Sequence, residues 1–192
     1  MVTCIPSPGY GDFRVSPDLL NAFGTDSLND ARYTSFITGY TGSRKEFQNN
    51  KFEGGESGTL GLYSPKILRL AEVYLNRAEA YAKSQNYGKA LDDLNTLRAK
   101  RGNLPVLTSV NTPDAQVLTA VLAERRKEFM FEGQRFFDLT RNSLDVSRNY
   151  CSEPTEISAP CTISGTGNTI VLPIPQQELS VNPIPQNPGY GN

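Results

Sequence analysis

The stretch Leu68–Gly102, LRLAEVYLNRAEAYAKSQNYGKALDDLNTLRAKRG, decides how this chain folds. In its first half Leu68, Ala71, Leu75, Ala78 and Ala82 recur at helical intervals and define one apolar stripe. Ser64-Pro65 just upstream reads as an N-cap followed by proline at the first helical position, so the first helix is predicted to start there. A second helix is predicted from Tyr87 to Lys100, with Ala90, Leu91, Leu94 and Leu97 facing inward and Gly102 as its stop. Two helices joined by so short a link pack antiparallel. Tyr74, Ala78, Tyr81, Ala90 and Leu94 fall where the tetratricopeptide pattern, about 34 residues long, alternates bulky and small side chains. A single copy is legible, whereas stacked repeats need about three to bury their faces. The pair therefore packs on something else or belongs to a longer array, which points to a fragment.

Downstream, Thr112-Pro113-Asp114 reads as a cap, a first-turn proline and an acid that the helix dipole favours. The helix that follows should turn Val117, Leu118, Val121, Leu122 and Phe129 inward, with Gly133 breaking or bending it before a last turn through Leu139. Its second half is Glu124–Arg141, ERRKEFMFEGQRFFDLTR. Phe129, Phe136 and Leu139 seek a core there while Glu124, Arg125, Glu128, Glu132 and Arg135 are threaded between them, so some of these charges should be buried and paired.

Upstream, Ser16–Phe23 is a short helix with a serine cap and Pro17 at the first position. The Gly-, Ser-, Asn- and Thr-rich sequence after it suits loops with a short hairpin among them. Beyond Asn142 the chain is polar. The run NTIVLPIP is β-prone, and Pro173, Pro175, Pro183, Pro185 and Pro188 forbid a long helix, leaving an extended strap on which Leu172, Ile174, Leu179 and Ile184 pack down. The expected fold is mainly α, a tetratricopeptide-like helix pair with further helices, extensive loops and a Pro-rich C-terminal strap. One domain, 1–192, is expected, with a loop-rich part (1–63), a helical core (64–142) and a loop-and-strap part (143–192).

Composition excludes several function classes. With 192 residues, formal net charge −1 and pI near 5.6, the chain has no broad basic field for nucleic acid. No apolar run reaches the roughly 18 residues that span a bilayer, and MVTCIPSPGYGDF at the start lacks the charged and apolar regions of a signal peptide. The count of zero histidines removes imidazole as base, proton shuttle or metal ligand, closing the usual Ser-His and Cys-His nucleophile sites and zinc sites. No catalytic residue, cofactor site or metal site is assigned. Among three cysteines, Cys151 and Cys161 bracket SEPTEISAP, a spacing that a disulfide can close in an oxidising compartment, with Cys4 then left over.

Three segments, LRLAEVYLNRAEAYAKSQNYGKALDDLNTLRAKRG, LAERRKEFMFEGQRFFDLTR and VLPIPQQELSVNPIPQNPGY, resemble in this order the C-terminal part of the SusD/RagB family. The string ERR-x-EF-x-x-EG-x-R-x-FDL-x-R is the most specific of them, and SPDLLNAFGTDSLNDAR is weakly similar to what precedes it. The resemblance implies an outer-membrane, cell-surface lipoprotein on a tetratricopeptide scaffold. It implies a protein that works with a SusC-like TonB-dependent transporter to capture oligosaccharide or other nutrients, without catalysis and without a cofactor. The family is longer than this chain and lipid-anchored through an N-terminal cysteine. Membrane attachment is expected only through such an anchor, which this fragment lacks, so the fragment itself should be soluble.

Two further functional readings stand beside that one. Glu124, Glu128 and Glu132 recur every fourth residue, so their carboxylates lie about 5 to 6 Å apart on one helical face. Glycoside hydrolysis uses carboxylate pairs about 5 to 9.5 Å apart, which admits a hydrolase. The competing view is a structural ion-pair network of Glu72, Arg77, Glu79, Glu124, Arg125, Glu128, Glu132 and Arg135, with arginine partners holding the acids ionised. The alternative to nutrient binding is a tetratricopeptide-type protein–protein interaction module. Tyr10, Phe13, Tyr40, Phe47, Phe52, Tyr63 and Tyr150 sit in Gly- or Ser-containing loops and offer rings for stacking on sugar, Tyr40 and Tyr63 being Gly-flanked. No ligand residue is assigned.

Overall fold

A computed structural model describes residues 15–39, 47–49, 51, 66–147 and 161–190 of the chain. They fall into two compact units divided between Glu132 and Gly133.

In the first unit, helix α1 (Pro17–Phe23) starts as the sequence dictates, the Ser16 hydroxyl accepting from the Leu19 amide at 3.3 Å with proline next in line. A 3₁₀ turn over Gly24–Asn29 leads to helix α2 (Ala31–Phe36), capped by the Asp30 carboxylate on the Arg32 amide at 3.0 Å. Strand β1 (Ile37–Gly39) follows directly and pairs antiparallel with β2 (Phe47–Asn49), Ile37 opposite Asn49. The loop-rich expectation for this part missed α2, whose cap sits inside a run of small polar residues.

Helices α3 (Leu70–Lys83) and α4 (Tyr87–Arg98) form the antiparallel pair, and α5 (Asp114–Glu128) packs across both. Ala71, Ala78, Ala82 and Ala90 keep the helices close enough for Leu75, Leu91, Leu94, Leu97, Val117, Val121 and Phe129 to form one core with them. Each large apolar side chain buried there contributes roughly 1.5–3 kcal/mol. A second cluster gathers Val15, Leu19, Phe23, Ile37 and Met130, with the Phe23 and Tyr33 rings meeting edge to face at 5.4 Å.

The link from α3 to α4 turns on Gln85, which adopts φ +61. Gly102 ends the α4 segment at φ +144, and a Cβ there would stand 1.8 Å from the Asn29 carbonyl oxygen. That close approach lets the Arg101 carbonyl accept from the Ala31 amide at 2.7 Å and bridges Asp30 to Gly102.

Three expectations are corrected in this unit. Helix α3 begins at Leu70, not after Ser64; Arg69 is extended, its side chain is drawn away to two carboxylates, and Leu68 is 88% exposed instead of joining the stripe. Helix α4 ends at Arg98, before Lys100. Thr112 does not cap α5; it is buried and its hydroxyl donates to the Asn111 side chain at 3.1 Å.

The second unit holds α6 (Gln134–Thr140), the two-residue pair β3 (Val146–Ser147) and β4 (Thr162–Ile163), a 3₁₀ turn at Asn168–Ile170 and α7 (Gln176–Val181). Gly133 is left-handed at φ +77 and makes the predicted break ahead of α6. Leu139 is buried, but Phe136 and Phe137 are exposed, their rings edge to face on each other at 5.6 Å, so Phe136 does not reach a core.

The strap is also corrected. Its β-prone run holds a 3₁₀ turn, Gln176–Val181 is helical between the prolines, and Leu172 and Ile184 are exposed while Ile174 and Leu179 are half-buried. Polar clamps hold it more than apolar packing does. The Gln186 amide brackets Ile174, donating to its carbonyl at 3.0 Å and accepting from its amide at 2.7 Å, and Asn187 donates to the Leu172 carbonyl at 2.7 Å.

Candidate functional site

The last turns of α5 carry an unusual load of buried charge: Glu124, Arg125, Lys127 and Glu128. Helical spacing aligns Glu124 and Glu128 on one edge, and the non-helical turn after Phe129 brings Glu132 to the same side.

Glu128 is the hub. One carboxylate oxygen accepts from Arg69 Nη1 and Arg101 Nη2, both at 2.8 Å. The other accepts from Arg101 Nε at 2.8 Å and Arg32 Nη1 at 3.2 Å. Three guanidinium groups from distant parts of the chain thus converge on a side chain that is 2% exposed. Burial alone would push its carboxyl up, but the Arg101 hydrogen bonds and charge, with those of Arg32 and Arg69, hold it at about 2.

Glu124 is equally buried. Arg32 Nη2 forms an ion pair with its Oε1 at 2.6 Å. Arg98 Nη1 donates to Oε2 at 3.0 Å, and Lys127 Nζ stands 3.1 Å from the same atom. Burial opposes ionisation here too, and Arg32, Lys127 and Arg98 outweigh it, lowering the carboxyl below its ordinary range. Arg32 is itself held in a fork by Asp30, Nε to Oδ1 at 2.9 Å and Nη2 to Oδ2 at 2.7 Å. Its guanidinium is thereby raised further above its ordinary value despite burial.

Glu132 completes the row. Arg69 Nη2 donates to both its oxygens at 2.8 and 3.0 Å, and Lys51 forms a short ion pair with it. Arg69 and Arg125 stack over the Phe129 ring, each 5.1 Å from its centroid.

The structure distributes the sequence-assigned network differently. Arg77 pairs with Asp93 through two bonds at 2.8 and 2.6 Å, tying α3 to α4. Glu79 meets Lys83 at 3.0 Å and Arg125 Nε at 3.9 Å, while Arg125 Nη1 donates to Asn76 at 2.7 Å. Glu72 is half-buried and takes no ion pair among the described residues, and Arg135 lies on α6 in the second unit. The groups that surround the three glutamates, namely Asp30, Arg32, Lys51, Arg69, Arg98, Arg101 and Lys127, were not assigned from sequence. Only Lys127, three residues from Glu124, was within reach of helical spacing.

Tyr10, Phe13, Tyr40, Phe52, Tyr63, Tyr150, Cys4 and Cys151 lie outside the described residues, and Cys161 is exposed just before β4. Among the described residues no cluster of acids and cysteines could hold a metal, and no helix is long and apolar enough to cross a membrane.

Chemically the row is closed. A carboxyl near pH 2 with all its lone pairs occupied neither donates a proton at neutral pH nor accepts one from a substrate, and glycoside hydrolysis needs two carboxyls whose pKa values are pushed apart, not both downward. The arrangement joins α2, the lead into α3, the end of α4 and the end of α5 at one place.

Comparison with known proteins agrees with this architecture. The model of the SusD family matches residues 39–190. A SusD-like protein of Formosa agariphila is 29% identical over 133 residues, 65% of this chain and 24% of its own length. A SusD superfamily structure from Bacteroides thetaiotaomicron superposes with TM-score 0.69 at 30% identity, covering 96% of this chain and 42% of that one. A SusD-like carbohydrate binding protein from Bacteroides vulgatus gives TM-score 0.57 at 30% identity over 77% of this chain and 31% of that one. The chain thus spans less than half the length of these relatives. With the helix pair, the charged α5 edge and the matched span in agreement, the chain belongs to the SusD family.

Proposed function

We propose that this chain is the C-terminal part of a non-catalytic, surface-lipoprotein component of an outer-membrane uptake system, one that binds oligosaccharide and works with a SusC-like TonB-dependent transporter. The observation that carries this reading is the family match over residues 39–190, joined to a charge row whose carboxylates are fully engaged by arginine and lysine. A relative in the same family, the B. vulgatus structure, is described as carbohydrate binding. The saturated carboxylates make the row a scaffold, so ligand selection falls to loops that the scaffold presents. Loops can vary with the sugar while the helices stay constant.

A second reading, a tetratricopeptide-type protein-interaction module, draws on Ile67, Leu68, Leu70 and Val73, a run of exposed apolar side chains at the start of α3. The two readings separate in a glycan-array screen of the complete gene product beside affinity purification from its host. Saturable binding to one glycan class supports the first reading. No binding on any glycan, with tight co-purification of a transporter, supports the second.

A further inference from the structure

We draw no further inference here: the strongest candidate, the surface patch of exposed Ile67, Leu68, Leu70 and Val73 at the start of α3, carries nothing because nothing in the structure shows what covers it.

Discussion

Replacing Glu128 with glutamine removes one charge from the point where Arg32, Arg69 and Arg101 meet, while nearly preserving shape. Its magnitude can be worked in two ways. The folded carboxyl is held at about 2 against an ordinary 4.5, which corresponds to about 3 kcal/mol of stability at neutral pH. Removing one partner of a buried ion pair costs about 3–5 kcal/mol, because Arg101 loses the carboxylate it forks and Arg32 and Arg69 each lose one of theirs. The two overlap at about 3 kcal/mol, which for a chain of this size lowers the melting temperature by about 6–12 °C.

The pH dependence has a definite sign. A depressed carboxyl contributes its stability above the unfolded-state pKa and loses it as pH falls through the folded-state value. The gap in melting temperature between wild type and Glu128→Gln should therefore hold from neutral pH to about 5 and close between about 4.5 and about 2. Thermal melts followed by circular dichroism across that range provide the check. A drop below about 2 °C at neutral pH, or a gap still present near pH 2, refutes the reasoning.

Two backbone positions give further expectations. Gly102→Ala drives a Cβ into the Asn29 carbonyl, forcing apart the segment that carries Asp30 and Arg32 from the one that carries Arg101. We expect a loss of about 2 kcal/mol or more, read from the denaturant midpoint. Gln85→Gly relieves a left-handed residue between α3 and α4, and should stabilise by about 0.5 kcal/mol once glycine's own entropy cost is subtracted; a lowered midpoint would contradict it.

What was legible in the sequence was the part set by local periodicity. Ala78, Ala90 and Leu94 lie fully buried where the repeat pattern places them, and Ser16-Pro17 starts α1 as written. The failures share a cause, which is distant partners overriding local signals. Leu68 sits on the predicted stripe, yet Arg69 beside it is drawn to Glu128 and Glu132, which keeps the backbone extended and leaves Leu68 exposed. The three glutamates on the α5 edge were readable as a row. Their cations were not, because Arg32, Lys51 and Arg69 arrive from far upstream and no spacing rule links them to α5. Of the assigned arginines, Arg77 turns to Asp93, while Arg125 meets the assigned Glu79 and also Asn76.

The central claim is that the α5 carboxylates build a binding scaffold and perform no chemistry. Calorimetric titration of the complete gene product with maltoheptaose, xylohexaose, mannohexaose and a galacturonic acid trimer tests it most directly, because binding and turnover leave different heat traces. We expect a saturating isotherm for one sugar class, with the heat flow returning to baseline after every injection. Sustained heat flow that disappears in Glu128→Gln, or no saturable binding to any sugar, would contradict the account.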